Sequence, residues 1–236
     1  MKNKTYAAYN GGMEAKWAFK IRATEETPSE RREAVLQLIE QFFNAFDGFL
    51  RPLRSECVVG EVDTDVDANA FASRELSNSR SYGIEFSSKD PYQEVWNAIG
   101  LDKNSTKRTI WITRFSIDQA AVKISLADGD YWLDADSDQY RRGSDDYIDN
   151  ESPKQPPLRM SLFHTAPSPS SEHQYYIKVR TYTDIWFENT RIGQANRKRL
   201  VNAFSKFMKF SDKKIMVSSE FVPPPYDDEI LNAIAE

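Results

Sequence analysis

Apolar and polar residues alternate from Ala15 to Ala23. Ala15, Trp17, Phe19, Ile21 and Ala23 fall on one side, and Lys16, Lys20 and Arg22 on the other. A period of two is that of a strand with one buried face. The spacing then changes to three and four through Val35, Leu38, Ile39, Phe42, Phe43 and Phe46, the stripe of an amphipathic helix. Thr27 suits its N-cap, Pro28 its first turn, and Glu30 completes a Thr-x-x-Glu capping box, while Gly48 marks its end. Shorter strands follow around Cys57–Val62 and Tyr82–Phe86. A short helix is predicted from Asp90-Pro91, with Asp as cap and Pro at the first helical position, to near Gly100.

Beyond that point the pattern is β-rich. Thr109–Ile117 and Ala121–Leu126 read as strands, and Asp128-Gly129 is a hairpin signal with Tyr131–Leu133 returning. The polar, acidic, proline-ended stretch 134–157 is expected to be a long mobile loop. Leu158–His164 and Tyr175–Phe187 are predicted strands flanking a Ser-Pro-rich loop. A helix from about Gln194 to Phe210 carries Leu200, Val201, Phe204, Phe207 and Met208 as its stripe, and Ile215–Phe221 is the last strand. After Pro223-Pro224-Pro225, Asp227 can cap a short C-terminal helix.

These elements predict one α+β domain over 1–236: a single mixed or antiparallel sheet with two long amphipathic helices on one face. The order strand, helix, strand occurs at 17–62 and again at 175–221, a weak sign of an internal βαβ duplication without recognisable identity.

Composition places the chain among globular proteins: 236 residues, 40% hydrophobic and 13% aromatic, which excludes a disordered chain. A lone cysteine, Cys57, excludes an intramolecular disulfide and fits a reducing compartment. No apolar run approaches a membrane span, and the basic N-terminus leads into no apolar signal segment, so the expected location is the cytoplasm. Net charge is −5 but unevenly spread. Residues 128–151 carry −7 and residues 152–221 carry +7. Such patches either neutralise each other in the fold or steer a charged partner.

The common catalytic signatures are missing. The sequence contains no Gly-x-Gly, no His-Glu-x-x-His, no Cys-x-x-Cys and no Gly-x-Ser-x-Gly, and it implies no cofactor. His164 extends an apolar alternation and reads as structural, His173 lies in the Ser-Pro loop, and Cys57 reads as a small buried hydrophobe. Two acidic triplets, Asp63-x-Asp65-x-Asp67 and Asp134-x-Asp136-x-Asp138, place oxygens like the start of a calcium loop. Ala68 and Gln139 replace the glycine such a loop needs at its sixth position, and solvated acidic loops are the simpler reading.

The stretch 175–187 carries the most information. Tyr175, Ile177, Val179, Ile185 and Phe187 form its core edge. The opposite edge is Tyr176, Lys178, Arg180, Tyr182, Asp184, Trp186 and Glu188, the residue types of binding hot spots. Arg180, Tyr182, Asp184 and Trp186 are therefore the predicted centre of a recognition surface. The acids Asp134, Asp136, Asp138, Asp145 and Asp146 are a second candidate contact. The helix 191–209 is basic, but an isoelectric point near 5.3 argues against a dedicated nucleic-acid binder.

The expected function is a non-enzymatic protein-binding module, an inhibitor or neutralising partner of the immunity or counter-defence type that occludes a target protein's site. The alternative is a metal-dependent hydrolase or nuclease built from scattered carboxylates, with Asp184, Glu188 and His164 as first candidates. A structural subunit of a larger assembly is the third reading.

Overall fold

A computed structural model of the chain describes residues 5–9, 14–24, 28–62, 79–87, 89–99, 109–142, 155–165, 174–210 and 215–235. The fold is mixed α+β. Its main sheet follows the order β10-β2-β9-β8-β5-β3-β4, with β6 also on β5, and every pairing in it is antiparallel. The strands are β2 (Ala15–Arg22), β3 (Leu50–Val62), β4 (Ser79–Glu85), β5 (Thr109–Leu126), β6 (Gly129–Leu133), β8 (Leu158–Thr165), β9 (Gln174–Thr181) and β10 (Ile215–Glu220). A separate two-stranded parallel ribbon joins β1 (Ala7–Tyr9) to β7 (Tyr140–Arg142).

The alternation in β2 does what its period dictates: Trp17, Phe19 and Ile21 are buried, and Lys16, Ala18 and Lys20 only partly so. Against the apolar face lie two long helices, α1 (Pro28–Phe46) and α3 (Arg191–Phe210). Phe204 packs edge-on against Trp17 and Phe19, Phe207 against Phe19, and Phe43 against Phe115 of β5. Two shorter helices complete the layer. α2 (Pro91–Ala98) sits on α1 and β4, and α4 (Tyr226–Ala235) on α3 and β10. Asp90 caps α2 as predicted, its carboxylate accepting from the Gln93 amide at 3.0 Å. Gly48 ends α1 with φ +72°, a conformation that favours glycine. The Thr27 cap lies outside the described residues.

Four differences from the predicted elements matter. β5 is one strand where two were predicted, because irregularities in its pairing with β3 absorb the polar Asp118-Gln119 step. The acidic stretch does not begin as a loop: Asp134 starts a tight turn, and Tyr140, fully buried, opens β7 and packs edge-on against Tyr9 at 5.5 Å. β9 stops at Thr181, six residues short of the predicted end. The two crossovers also differ. Successive antiparallel pairings make β2 parallel to β3 across three intervening strands, but β9 parallel to β10 across one, so strand spacing gives the expected duplication no support. Among the described residues no helix is long and apolar enough to cross a membrane.

Candidate functional site

The helices cover one face of the sheet. The opposite face is built from the other half of each alternation, and register places its side chains in rows across the strands. One row reads Lys20, Tyr176, Phe163 and Arg114, from β2 through β9 and β8 to β5. The next reads Ala18, Lys178, Ser161, Ser116, Glu56 and Gly83, mostly small side chains. A third begins Lys16, Arg180, Arg159. All are half-buried or exposed except Ser116 on the floor, so no described element covers this face. The small row is a shallow trough between an aromatic row and a cationic one, which lie about 13 Å apart at the usual rise of a strand.

Tyr176 and Phe163 stack with centroids 5.3 Å apart and planes within 9° of parallel. The Lys178 ammonium lies over the Phe163 ring at 5.0 Å. Several cations are held by carboxylates at the rim: Lys16 by Glu220 at 2.6 Å, Arg180 by Glu14 at 3.1 Å, Arg159 by Asp118 at 2.5 Å and Arg114 by Glu56 at 2.6 Å. The Ser81 hydroxyl, and then Arg114, hold the Glu56 carboxyl below its ordinary value, and Lys16 does the same for Glu220. These acids are therefore ionised at neutral pH and partly neutralise the face. Partly exposed pairs of this kind add little stability, so a ligand can compete for their cations.

At the β3–β4 end the trough opens into a cavity of about 520 Å³ lined by Arg54, Ser55, Glu56, Ser81, Gln119 and Arg159 among others. Its walls offer both donors and acceptors. Ser55 contributes backbone to this wall, since its side chain shares the parity of Cys57 and is buried on the helix side.

The predicted site residues divide. Arg180 lies on the open face, as its parity on β9 requires. Trp186 does not share it, because the chain leaves the sheet after Thr181, whereas Tyr182 reaches its border, where its side chain is hydrogen-bonded to Arg159. Trp186 is fully buried, its Nε1 donating to Thr181 Oγ1 at 2.7 Å and its ring meeting Phe49 edge-on, and Tyr182 is buried as well. Asp184 belongs to the same returning segment, where its carbonyl accepts from the Phe187 amide at 2.7 Å. The recognition centre expected at 180–186 is thus split between the open face and the core. Asp134 is occupied by its own turn, its carboxylate accepting from the Asp136 amide and the Ser137 hydroxyl at 3.0 and 2.7 Å; Asp136 and Asp138 are exposed beside it. Asp145, Asp146 and the triplet at Asp63 lie outside the described residues.

The alternative set is not assembled either. His164 pairs with Tyr175 at one end of β9, whereas Asp184 and Glu188 follow Thr181 at the other, six residues and about 20 Å away. Among the described residues no cluster of His, Cys, Asp and Glu is arranged to hold a metal. Cys57 faces the helices, and burial pushes its thiol up to about 12. In the folded protein it should resist a thiol-specific disulfide reagent at pH 8, and one thiol per chain should appear on denaturation. Rapid reaction of the native protein would place Cys57 at the surface.

Sequence reasoning passed over Lys16, Lys20, Arg114, Arg159, Phe163 and the cavity. The available signal was the basic parity on β2, the same as on β9, which gains meaning only once those strands are neighbours. No protein-family model matches the sequence, and neither the curated proteins nor the solved structures yield a match to it.

Proposed function

We propose that the protein is a non-enzymatic binding module that engages an anionic macromolecule through the open face of its sheet. The observation that carries this reading is the open face itself: an uncovered surface with cations on all four central strands and a stacked aromatic pair at its middle. A solvated face has no need of two aromatic rings at its centre, whereas an interface core favours them. The cations are displayed against a chain of net charge −5, so the positive field is local to this side. Occlusion of a partner's site, the mode expected from the sequence, is kept. The surface moves from Tyr182, Trp186 and the acidic stretch to β2, β9, β8 and β5.

Capture from a lysate of the source cell tests this reading, comparing the wild type with Lys20→Glu/Lys178→Glu and analysing both protein and nucleic acid. A stoichiometric partner retained by the wild type, and depleted about tenfold or more by reversing two interface charges, is the expected result. Equal capture by both, or none by either, overturns the proposal.

A further inference from the structure

We infer that the partner is a single-stranded nucleic acid, lying along the trough with bases against the Tyr176–Phe163 stack and phosphates against Lys16, Arg180 and Arg159. The inference rests on the open face being the binding surface and adds the partner's chemistry. Three features select it among anions. First, Tyr176 and Phe163 already stand as one stacked block, so a base placed at its end extends the stack with little ordering cost. Every base offers a π face, which an acidic peptide lacks, and a duplex keeps its own stacked inside. Second, the cationic row runs parallel to the aromatic row across the trough, so one strand can meet both, its bases on one side and its backbone on the other. Third, the trough ends in a polar cavity of about 520 Å³, large enough for an unstacked base. Arg54, Gln119, Ser81 and Glu56 supply donors and acceptors for a base edge.

The rim carboxylates and the chain's net charge of −5 oppose a polyanion, so binding should be moderate and strongly salt-dependent. Neutralising about three phosphates gives a logarithmic salt slope near −2 for a single strand, or roughly a twentyfold loss between 50 and 200 mM salt.

Fluorescence anisotropy decides it, with a labelled RNA and a labelled DNA single strand of about 15 nucleotides, the matching duplex, and polyglutamate as an anion without bases. Single strands should bind with that slope, and the duplex and polyglutamate at least about tenfold more weakly. Phe163→Leu/Tyr176→Leu, which keeps apolar bulk but removes the rings, should weaken single-strand binding by about tenfold or more. Arg180→Glu should both weaken binding and flatten the slope. Polyglutamate binding as tightly as the single strands, or unchanged affinity in the leucine pair, overturns the inference. So does absence of single-strand binding at about 50 mM salt. If that absence accompanies charge-dependent capture from lysate, the nucleic-acid identity fails and the open-face reading stands; if capture fails too, both fall.

Discussion

Trp186→Ala is expected to destabilise the protein by about 3–5 kcal/mol, the range for truncating a buried aromatic side chain. In a chain of this length that is roughly a 6–10 °C fall in Tm, read by circular dichroism. The indole is fully buried, packs edge-on to Phe49 with centroids 5.9 Å apart, and donates to Thr181 Oγ1. Its removal leaves a cavity between the sheet and its helices and takes away the donor that ties the returning segment to the end of β9. The backbone at Trp186 is held as well: its carbonyl accepts from the Arg197 guanidinium at 2.7 Å, and Arg197 is itself buried, salt-bridged to Glu229 and stacked over Tyr226. The mutant is thus expected to lose packing around a backbone still anchored, which limits how far the cavity can collapse and places the cost toward the top of the range. An unchanged Tm would mean the indole is at the surface, and the recognition centre expected from the sequence would regain Trp186.

Trp186 shows where sequence periodicity reaches its limit. The period of two in β9 continues without a break through Thr183, Ile185 and Phe187, so pattern alone extends the strand. What ends it is local hydrogen bonding. The Thr181 and Thr183 hydroxyls lie 3.4 Å from the amides of Thr183 and Ile185 and accept from them, and the Asp184 carbonyl accepts from Phe187. Threonine side chains that compete for backbone amides let the chain leave a sheet without leaving those groups unpaired. Once it turns, residues of both parities enter the core: Trp186 joins Ile185 there. The acidic stretch misleads in the opposite way, because charge density suggests a loop while a single aromatic, Tyr140, anchors a strand inside it.

Signals that act over a few residues were legible. The Asp90 cap, the Gly48 stop, the Asp128-Gly129 hairpin and the stripe Leu200, Phe204, Phe207 all fold as their spacing dictates. The open face was legible only in fragments. Lys16 and Lys20 on β2 and Phe163 on β8 read separately as ordinary solvent-side residues, while Tyr176 and Lys178 on β9 stood out only as part of one strand's edge. Strand order, in which β2 pairs with a segment more than a hundred residues away and β8 with its near neighbour β9, turns them into one surface.

Gly193→Ala should destabilise the protein although alanine is the better helix former by roughly 1 kcal/mol. Gly193 lies in the first turn of α3, where its amide donates to the Thr190 hydroxyl at 2.9 Å, so Thr190 caps the helix. A β-carbon at this position would stand 2.3 Å from the Glu188 carbonyl oxygen and 2.9 Å from its carbonyl carbon. Those are backbone atoms, which cannot swing aside as a side-chain tip can. Either the helix start or the 182–190 segment must move. Overpacking of this kind costs about 1–3 kcal/mol, and displacement of the Thr190 cap costs about 1 kcal/mol more. Together these exceed the gain in propensity and leave a net loss of about 1–3 kcal/mol, measurable as a lower midpoint in urea with an unchanged slope. A midpoint raised by the substitution would mean that α3 and the segment holding Trp186 do not approach this closely. The same geometry fixes how the two substitutions combine. Both release the stretch between Thr181 and α3, so once Trp186→Ala has loosened that stretch, the added methyl meets less resistance and the double mutant should lose less than the sum of the single losses.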